Sequence, residues 1–156
     1  MLIIDIPGYQ TLRIRHVVCD FNGTIAVDGK LIKGVAALMG DLSDRVEFHV
    51  ITADTFGSVK KELHDLACRV TIIPAKDQAE SKLNYVSELG LAETMCIGNG
   101  RNDCMMVKEA VLGIGLIQAE GMAGELLSAV DITCRSIIDA LNLLKEPKRL
   151  IATLRN

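Results

Sequence analysis

The feature that most constrains the fold is a short apolar segment that ends in a carboxylate. Residues Val17-Val18-Cys19 are apolar without alternation, as in a strand covered on both faces, and Asp20 follows them directly. A turn signal, Gly23-Thr24, comes three residues later. Ligands of parallel α/β proteins bind at the carboxyl ends of strands, so Asp20 is a candidate for chemistry. The alternative is that Asp20 caps a turn, a common role for Asp in such a segment.

Composition and charge exclude several classes of function. The chain has 156 residues, of which 49% are hydrophobic, and this favours one domain over residues 1–156. A formal net charge of -3 argues against nucleic acid as a partner, because polyanions need a basic face. No apolar run reaches the roughly 20 residues of a bilayer span, and the amino terminus lacks the basic start of a secretory signal. We therefore expect a soluble cytoplasmic protein with no membrane partner.

The cysteines give no sign of a disulfide framework or a zinc knuckle. They are odd in number and form no CxxC pair. We expect them to be small apolar core residues in a reducing compartment. The five positions are Cys19, Cys68, Cys96, Cys104 and Cys134.

Strands and helices are predicted to alternate along the chain. Extended segments over residues 2–6 and 11–21 flank Pro7-Gly8, which predicts an N-terminal β-hairpin or edge strand. Further strands are predicted over 46–52, 69–73, 94–97, 111–117 and 131–134. Helices are predicted over 34–42, 57–67, 78–89, 103–110, 122–129, 137–144 and 147–156. Short connections indicate βαβ crossovers, so the fold class is α/β, a Rossmann-like three-layer sandwich with a mostly parallel sheet.

Four further polar residues lie at later strand ends or on the following helix. Thr52 ends one predicted strand, Lys82 lies on a predicted helix, and Asn99 and Asp103 lie in a glycine-rich loop after a strand. Attack by a carboxylate on a phosphate ester needs a nucleophile, a divalent cation, donors for the phosphoryl oxygens and a fixed positive charge. The residues that supply this set, in that order, are Asp20, Asp103 with Asn99, Thr52 and Lys82.

Each of these residues also has a plainer interpretation. Thr52 could be a strand-end or N-cap hydroxyl, and Lys82 a surface lysine. Asn99 and Asp103 could be turn and helix-cap residues. The shared mechanism is favoured because all of these residues have a role in it and follow successive strands of one predicted sheet.

Four segments together resemble the motifs of the haloacid dehalogenase superfamily. They are Asp20-Phe21-Asn22-Gly23-Thr24, Thr52-Ala53-Asp54, Lys82 and Gly98-Asn99-Gly100-Arg101-Asn102-Asp103. The branch that they resemble is the phosphorylation domain of P-type ATPases, whose motifs read DKTGT, TGD, a lysine and GDGxND. The whole chain is similar to the soluble P-type ATPase-like proteins of that branch, and the resemblance covers essentially all of the sequence.

The resemblance implies a nucleophile and a metal site. Asp20 would be the nucleophile and a ligand of Mg²⁺, the implied cofactor, together with the backbone carbonyl of Asn22. Asn99 and Asp103 would hold the same ion, and Asn102 would assist them. Oxygen ligands of this kind suit Mg²⁺.

The resemblance also implies a phosphate site. Thr52, with Ala53 and Gly23, would bind the phosphoryl group, while Lys82 would neutralise the phosphorylated carboxylate. Thr24 would support the first loop. The expected substrate is a phosphorylated small molecule or macromolecule, and the expected activity is that of a Mg²⁺-dependent phosphohydrolase.

Two residues depart from the pattern of the phosphatases. Asn22 stands where they carry an acid-base Asp, and an amide cannot give general acid-base help of about 10²–10⁴-fold. Asn99 replaces another Asp, which removes one negative charge from the metal site. The sequence therefore predicts slow turnover, and the catalytic position Asn22 leaves open an alternative: a catalytically degenerate, phosphate-responsive regulatory or interaction module.

The spacing of the motifs predicts a site without a cap domain. Between Thr24 and Thr52 lie 27 residues, and between Thr52 and Lys82 lie 29, too few for an inserted domain. An open site would have to be covered by a partner, by a second subunit of a homo-oligomer or by the substrate. The local candidate for a lid is the segment 25–33.

Overall fold

The centre of the molecule is a parallel β-sheet. The computed structural model describes residues 1–53 and 58–156. The strands are β1 (Leu2–Asp5), β2 (Thr11–Ile14), β3 (His16–Asp20), β4 (Ala26–Val27), β5 (Lys30–Leu31), β6 (Glu47–Thr52), β7 (Cys68–Ile72), β8 (Thr94–Gly98), β9 (Leu112–Leu116) and β10 (Ile132–Cys134). Six of them form one sheet in the order β10-β9-β8-β3-β6-β7, with every neighbouring pair parallel. The predicted α/β class with a mostly parallel sheet is therefore confirmed.

Helices cover both faces of this sheet. They are α1 (Val35–Leu42), α2 (Ser58–Glu62), α3 (Gln78–Leu89), α4 (Cys104–Glu109), α5 (Ile137–Lys145) and α6 (Pro147–Leu154). Side chains of α1, α5 and α6 pack in one apolar cluster with Val17 and Cys19 of β3. Side chains of α3 and α4 pack in a second cluster with Val18 of the same strand. Because β3 lies between β8 and β6 and both of its faces are covered, its apolar run does not alternate.

The first two strands form a separate antiparallel hairpin. Leu2 pairs with Ile14, and inward and outward side chains alternate along both strands. Arg15 separates the hairpin from the main sheet: its N–H donates to the carbonyl of Glu93, and its carbonyl accepts from the N–H of Glu47. The predicted extended segment 11–21 is thus two strands, β2 and β3, and the predicted hairpin is confirmed.

A second small hairpin covers the segment proposed as a lid. Strands β4 and β5 pair antiparallel, and we call residues 25–33 the flap. Three contacts tie it down, since the N–H groups of Asp28, Gly29 and Leu31 donate to the side chains of Glu120, Asn22 and Glu62 respectively. The segment predicted as a lid is thus a short hairpin that side chains of three other segments hold in place.

Several predicted elements differ in length or type. The helix predicted over 57–67 is α2, which ends at Glu62, and residues 54–57 lie outside the described residues. The helix predicted over 122–129 is a 3-10 helix, Gly124–Ser128, in which Leu126 is buried while Leu127 is 61% exposed. A 3-10 helix this short directs one side chain toward the core, so it cannot form the extended apolar face of an amphipathic α-helix. Within the described ranges, no helix is long and apolar enough to cross a membrane.

The thiols match their predicted role in part. All five are free. Cys19, Cys96 and Cys134 are buried in the apolar clusters, whereas Cys68 and Cys104 are only half-buried.

Two adjacent residues of β1 test whether the hairpin belongs to the core. Ile4 is 3% exposed and packs in the main apolar cluster, so Ile4→Ala should lower the free energy of unfolding by about 2–5 kcal/mol. Ile3, which is 57% exposed, is the matched control, and Ile3→Ala should change the free energy of unfolding by about 0.5 kcal/mol at most. Urea unfolding measures both. Equal, small effects would show that the hairpin does not pack on the sheet.

Candidate active site

The polar residues at the carboxyl edge of the sheet meet in one cleft. Asp20 ends β3, Thr52 ends the neighbouring strand β6, and Asn99 follows β8 on the other side. The cleft has a volume of about 550 Å³. The described residues that line it are Asp20, Asn22, Thr52, Ala53, Gln78, Asn99, Gly100 and Asn102. Eight side chains or backbones from four segments thus share one space, and Asp54 lies outside the described residues.

A buried lysine joins two carboxylates beneath this cleft. The Nζ of Lys82 donates to Oδ1 of Asp20 and to Oδ1 of Asp103, each at 2.6 Å. The side chains of Lys82 and Asp103 are 1% and 0% exposed, and that of Asp20 is 14% exposed. A lysine is buried in this way only when it is paired, so the surface-lysine interpretation is wrong. We call these three residues the ion triad.

Asp103 also shapes the loop that follows β8. Its Oδ2 accepts the N–H groups of Asn99 and Gly100 at 3.0 and 2.9 Å, so both carboxylate oxygens are engaged. A Cβ at Gly98 would overlap the Asp103 carboxylate, which explains the glycine there. Asp103 therefore holds both the loop and Lys82, and it lies behind the residues that line the cleft.

The electrostatics of the ion triad leave a surplus of negative charge. Two carboxylates and one ammonium sum to one negative charge in a largely buried place. Burial, and then the charge of Asp103, raise the pKa of Asp20 to about 7, although Lys82 opposes the shift. Burial lowers the pKa of Lys82, but Asp103 and Asp20 outweigh burial and the net shift is upward. The site thus favours an additional cation or a proton.

The loop after β3 is a tight turn closed on itself. The carbonyl of Phe21 accepts the N–H groups of Thr24, Ile25 and Ala26. Gly23 has a φ of 77°, and a Cβ there would overlap the side chain of Asn99, so this position requires glycine. The turn consequently brings the backbone of Gly23 against Asn99 in the glycine-rich loop after β8.

The amide of Asn99 sits between the first loop and the loop before the 3-10 helix 124–128. Its Oδ1 accepts from the Thr24 hydroxyl at 3.4 Å, and its Nδ2 donates to the carbonyl of Gly121 at 3.0 Å. These partners fix which end of the amide faces the first loop. These contacts therefore direct the oxygen of Asn99 toward the loop that follows Asp20 and contains Asn22.

Two glutamines that the sequence did not single out support the site. Gln118 follows β9; its Nε2 donates to the carbonyls of Gly23 and Thr24 at 2.8 and 2.6 Å, and its Oε1 accepts from the N–H of Ile137. A polar residue just beyond a parallel strand was a signal that could have found it. Gln78 lines the cleft and accepts from Asn102 at 2.7 Å, and nothing in the local sequence marks it.

The donor set of the cleft fits a hard divalent cation. Asp20, Asn22 and Asn99 all line it, and they offer a carboxylate, a backbone carbonyl and an amide oxygen. Oxygen donors of these types suit Mg²⁺, and the surplus negative charge of the ion triad attracts a cation. Asp103 does not line the cleft, and its two oxygens accept hydrogen bonds from Lys82 and from the N–H groups of the loop.

The chain is similar in sequence to part of one much longer protein and to one shorter protein. No family model matches it. It is similar to the probable phospholipid-transporting ATPase IM of Homo sapiens, with 29% identity over 117 residues, and it spans 10% of that protein while the match covers 72% of this chain. An uncharacterized protein of Methanocaldococcus jannaschii is 44% identical over 62 residues, covering 40% of this chain and 67% of that protein. The chain thus corresponds to about a tenth of the length of the ATPase.

Solved structures share the fold along most of its length. A putative 3-deoxy-D-manno-octulosonate 8-phosphate phosphatase from Vibrio cholerae superposes with a TM-score of 0.73 at 12% identity, covering 92% of this chain and 94% of that one. The corresponding phosphatase from Moraxella catarrhalis, solved with magnesium ion, phosphate ion and KDO, gives a TM-score of 0.65 at 17% identity, covering 91% and 94%. At these identities the likeness establishes a common fold.

The raised pKa of Asp20 predicts a specific pH dependence of stability. Because the folded chain holds the Asp20 proton up to about pH 7 and an ordinary Asp loses it near 3.8, the free energy of unfolding falls as pH rises between these values. In a chelator without metal, Asp20→Asn should therefore gain stability relative to the wild type as the pH rises from about 4 to about 7. Urea unfolding at several pH values measures this difference. Parallel pH profiles for the two proteins would contradict it.

Proposed function

We propose that this chain, which shares its fold with haloacid dehalogenase superfamily hydrolases, is a Mg²⁺-dependent phosphohydrolase that works through a phosphorylated Asp20. The observation that carries the proposal is the ion triad at the floor of an open cleft. A carboxylate that is partly exposed to the cleft lies 2.6 Å from a buried lysine, which is held in turn by a second carboxylate. This arrangement places a nucleophile and a fixed positive charge at one point.

The chemistry proceeds in two displacements. A carboxylate oxygen of Asp20 attacks the phosphorus of a phosphate monoester, the bond from phosphorus to the ester oxygen breaks, and that oxygen takes a proton from solvent. Water then attacks the phosphorus of phospho-Asp20, which releases inorganic phosphate and restores the carboxylate. Lys82 stays beside Asp20 throughout and offsets the added negative charge.

The remaining residues bind and orient the phosphoryl group. Thr52 and Ala53 line the cleft opposite Asn99, and Gly23 supplies the backbone of the first turn. The metal would be held by Asp20, the carbonyl of Asn22 and the oxygen of Asn99, where Mg²⁺ supplies charge neutralisation for the phosphoryl oxygens. The role of Asp103 that the contacts favour is to position Lys82, and direct ligation by Asp103 stays a prediction.

The substrate class that fits is a phosphorylated small molecule. Two neighbours in fold are described as phosphatases of 3-deoxy-D-manno-octulosonate 8-phosphate, and one of them was solved with magnesium and phosphate ions. The cleft of this chain is open, and the flap is a short two-stranded hairpin. One domain over residues 1–156 and self-association over the open site stay predictions.

A second function, a phosphate-responsive module, is favoured by the contact of Asn22 with the flap. The Oδ1 of Asn22 accepts the N–H of Gly29 at 3.0 Å, so the residue at the acid-base position is bound to the flap. An amide at that position cannot protonate a leaving group or activate water. A long-lived phospho-Asp20 would then act on the flap through Asn22, which lies two residues along from the modified carboxylate, and change the surface that a partner meets.

Removal of the nucleophile tests the proposed function directly. Asp20→Asn should abolish release of phosphate from an aryl phosphate in Mg²⁺, because an amide cannot form the acyl phosphate. Intact mass should show one phosphoryl group on the wild type and none on the variant. The matched control is Asp65→Asn, whose carboxylate is 99% exposed and which should keep full activity. Turnover by Asp20→Asn at the wild-type rate would refute the proposal.

Restoring an acid-base group separates the two functions. If the second displacement is slow for want of a base, Asn22→Asp should raise turnover at least about 10-fold and lower the steady-state amount of phospho-Asp20. Asn84→Asp adds the same charge at an exposed position of α3 and serves as the control. An Asn22→Asp variant that keeps its phosphoryl group and gains no turnover would favour the regulatory module.

A further inference from the structure

A second cluster of ligating side chains lies at the opposite end of the central strands. His16 is the first residue of β3, and Glu47 and His49 lie on β6, where the register pairs His16 with Glu47. The Nδ1 of His16 and the Nε2 of His49 are 3.0 Å apart. One ligand atom from each of the three residues lies within 4.8 Å of the others. Asp20 is at the far end of β3, so this cluster is separate from the cleft.

We propose that His16, His49 and Glu47 form a binding site for Zn²⁺ or a similar transition-metal cation, with a fourth position open to water. Two imidazole nitrogens bound to one tetrahedral zinc ion at about 2.0–2.1 Å lie about 3.3 Å apart. The observed separation of 3.0 Å is close to that value. Two imidazoles and one carboxylate are a donor set that zinc prefers and Mg²⁺ does not.

A hydrogen bond to Tyr85 fixes the ring orientation of His49, as is usual for a histidine that binds a metal. Its other ring nitrogen, Nδ1, lies 2.8 Å from the hydroxyl of Tyr85 on α3. Ligating histidines commonly hold their second nitrogen in such a hydrogen bond, which sets the tautomer and the ring orientation. With Nδ1 protonated toward Tyr85, the Nε2 lone pair of His49 faces His16.

Glu47 gives the cluster access to solvent. Its side chain is 51% exposed, whereas His16 is 9% and His49 0% exposed. Arg69 contacts one carboxylate oxygen, Oε2, at 3.4 Å, which leaves a second oxygen for a cation. The alternative arrangement of the imidazoles is a direct N–H···N hydrogen bond, for which 3.0 Å is also a suitable length. Added zinc distinguishes the two, because it must replace that hydrogen bond.

Zinc binding to the purified chain tests the proposal. Equilibrium dialysis against Zn²⁺ with Mg²⁺ in large excess should show one tightly bound zinc per chain. Glu47→Gln should weaken it by about 10-fold or more, since a charged ligand is lost, and Tyr85→Phe by about 10-fold through the orientation of His49. His64→Gln is the matched control, because His64 is 83% exposed and is not one of the three clustered residues, and it should leave zinc affinity unchanged.

Nitrogen NMR gives a readout that does not depend on activity. Addition of one equivalent of Zn²⁺ should shift the Nδ1 resonance of His16 and the Nε2 resonance of His49 and leave those of His64 in place. Because Glu47 is on the surface, Glu47→Gln should fold as the wild type does, which thermal unfolding verifies. Equal zinc affinity in the wild type and Glu47→Gln, or an imidazole N–H···N bond that persists in excess zinc, would overturn the proposal.

Discussion

The ion triad is the interaction on which the rest of the site depends. A lysine and two carboxylates are removed from water on three segments that are far apart in the chain, and each charge is tolerated only because its partners are 2.6 Å away. Their mutual positions therefore fix α3 against the end of β3 and the loop after β8. The same constraint explains why glycine stands at Gly98, where a Cβ would enter the space of the Asp103 carboxylate.

The net charge of the site shapes what its chemistry can do. With one more carboxylate than ammonium, the ion triad attracts a cation, and burial alone would otherwise favour protonated Asp20. The two asparagines contribute oxygens without charge: Asn99 toward the first loop, Asn22 toward the flap. In the function that we propose, the first step needs a nucleophile and a cation, and the second also needs a base, which an asparagine amide does not supply.

The two ends of β3 and β6 carry different ligand chemistry. At the carboxyl end the donors are oxygens of Asp20 and of the loops, and at the amino end they are imidazoles with one carboxylate. Hard cations and transition metals are distinguished by these donor types. Adjacent parallel strands make both clusters, because residues that start or end neighbouring strands lie side by side.

Three features could be predicted from local patterns in the sequence: the strand that ends at Asp20, the opening hairpin and the bounds of α3, which agree with the structure at both ends. These follow from local signals: an apolar run, a Pro-Gly turn and helical periodicity. The burial of Lys82 depends on its partners in space, because hydrophobic periodicity counts a lysine as polar and predicts it at the surface. The contacts of Gln118 and the pairing of His16 with His49 were likewise beyond local patterns. They depend on which strands are neighbours, and sheet order is a property of the whole chain.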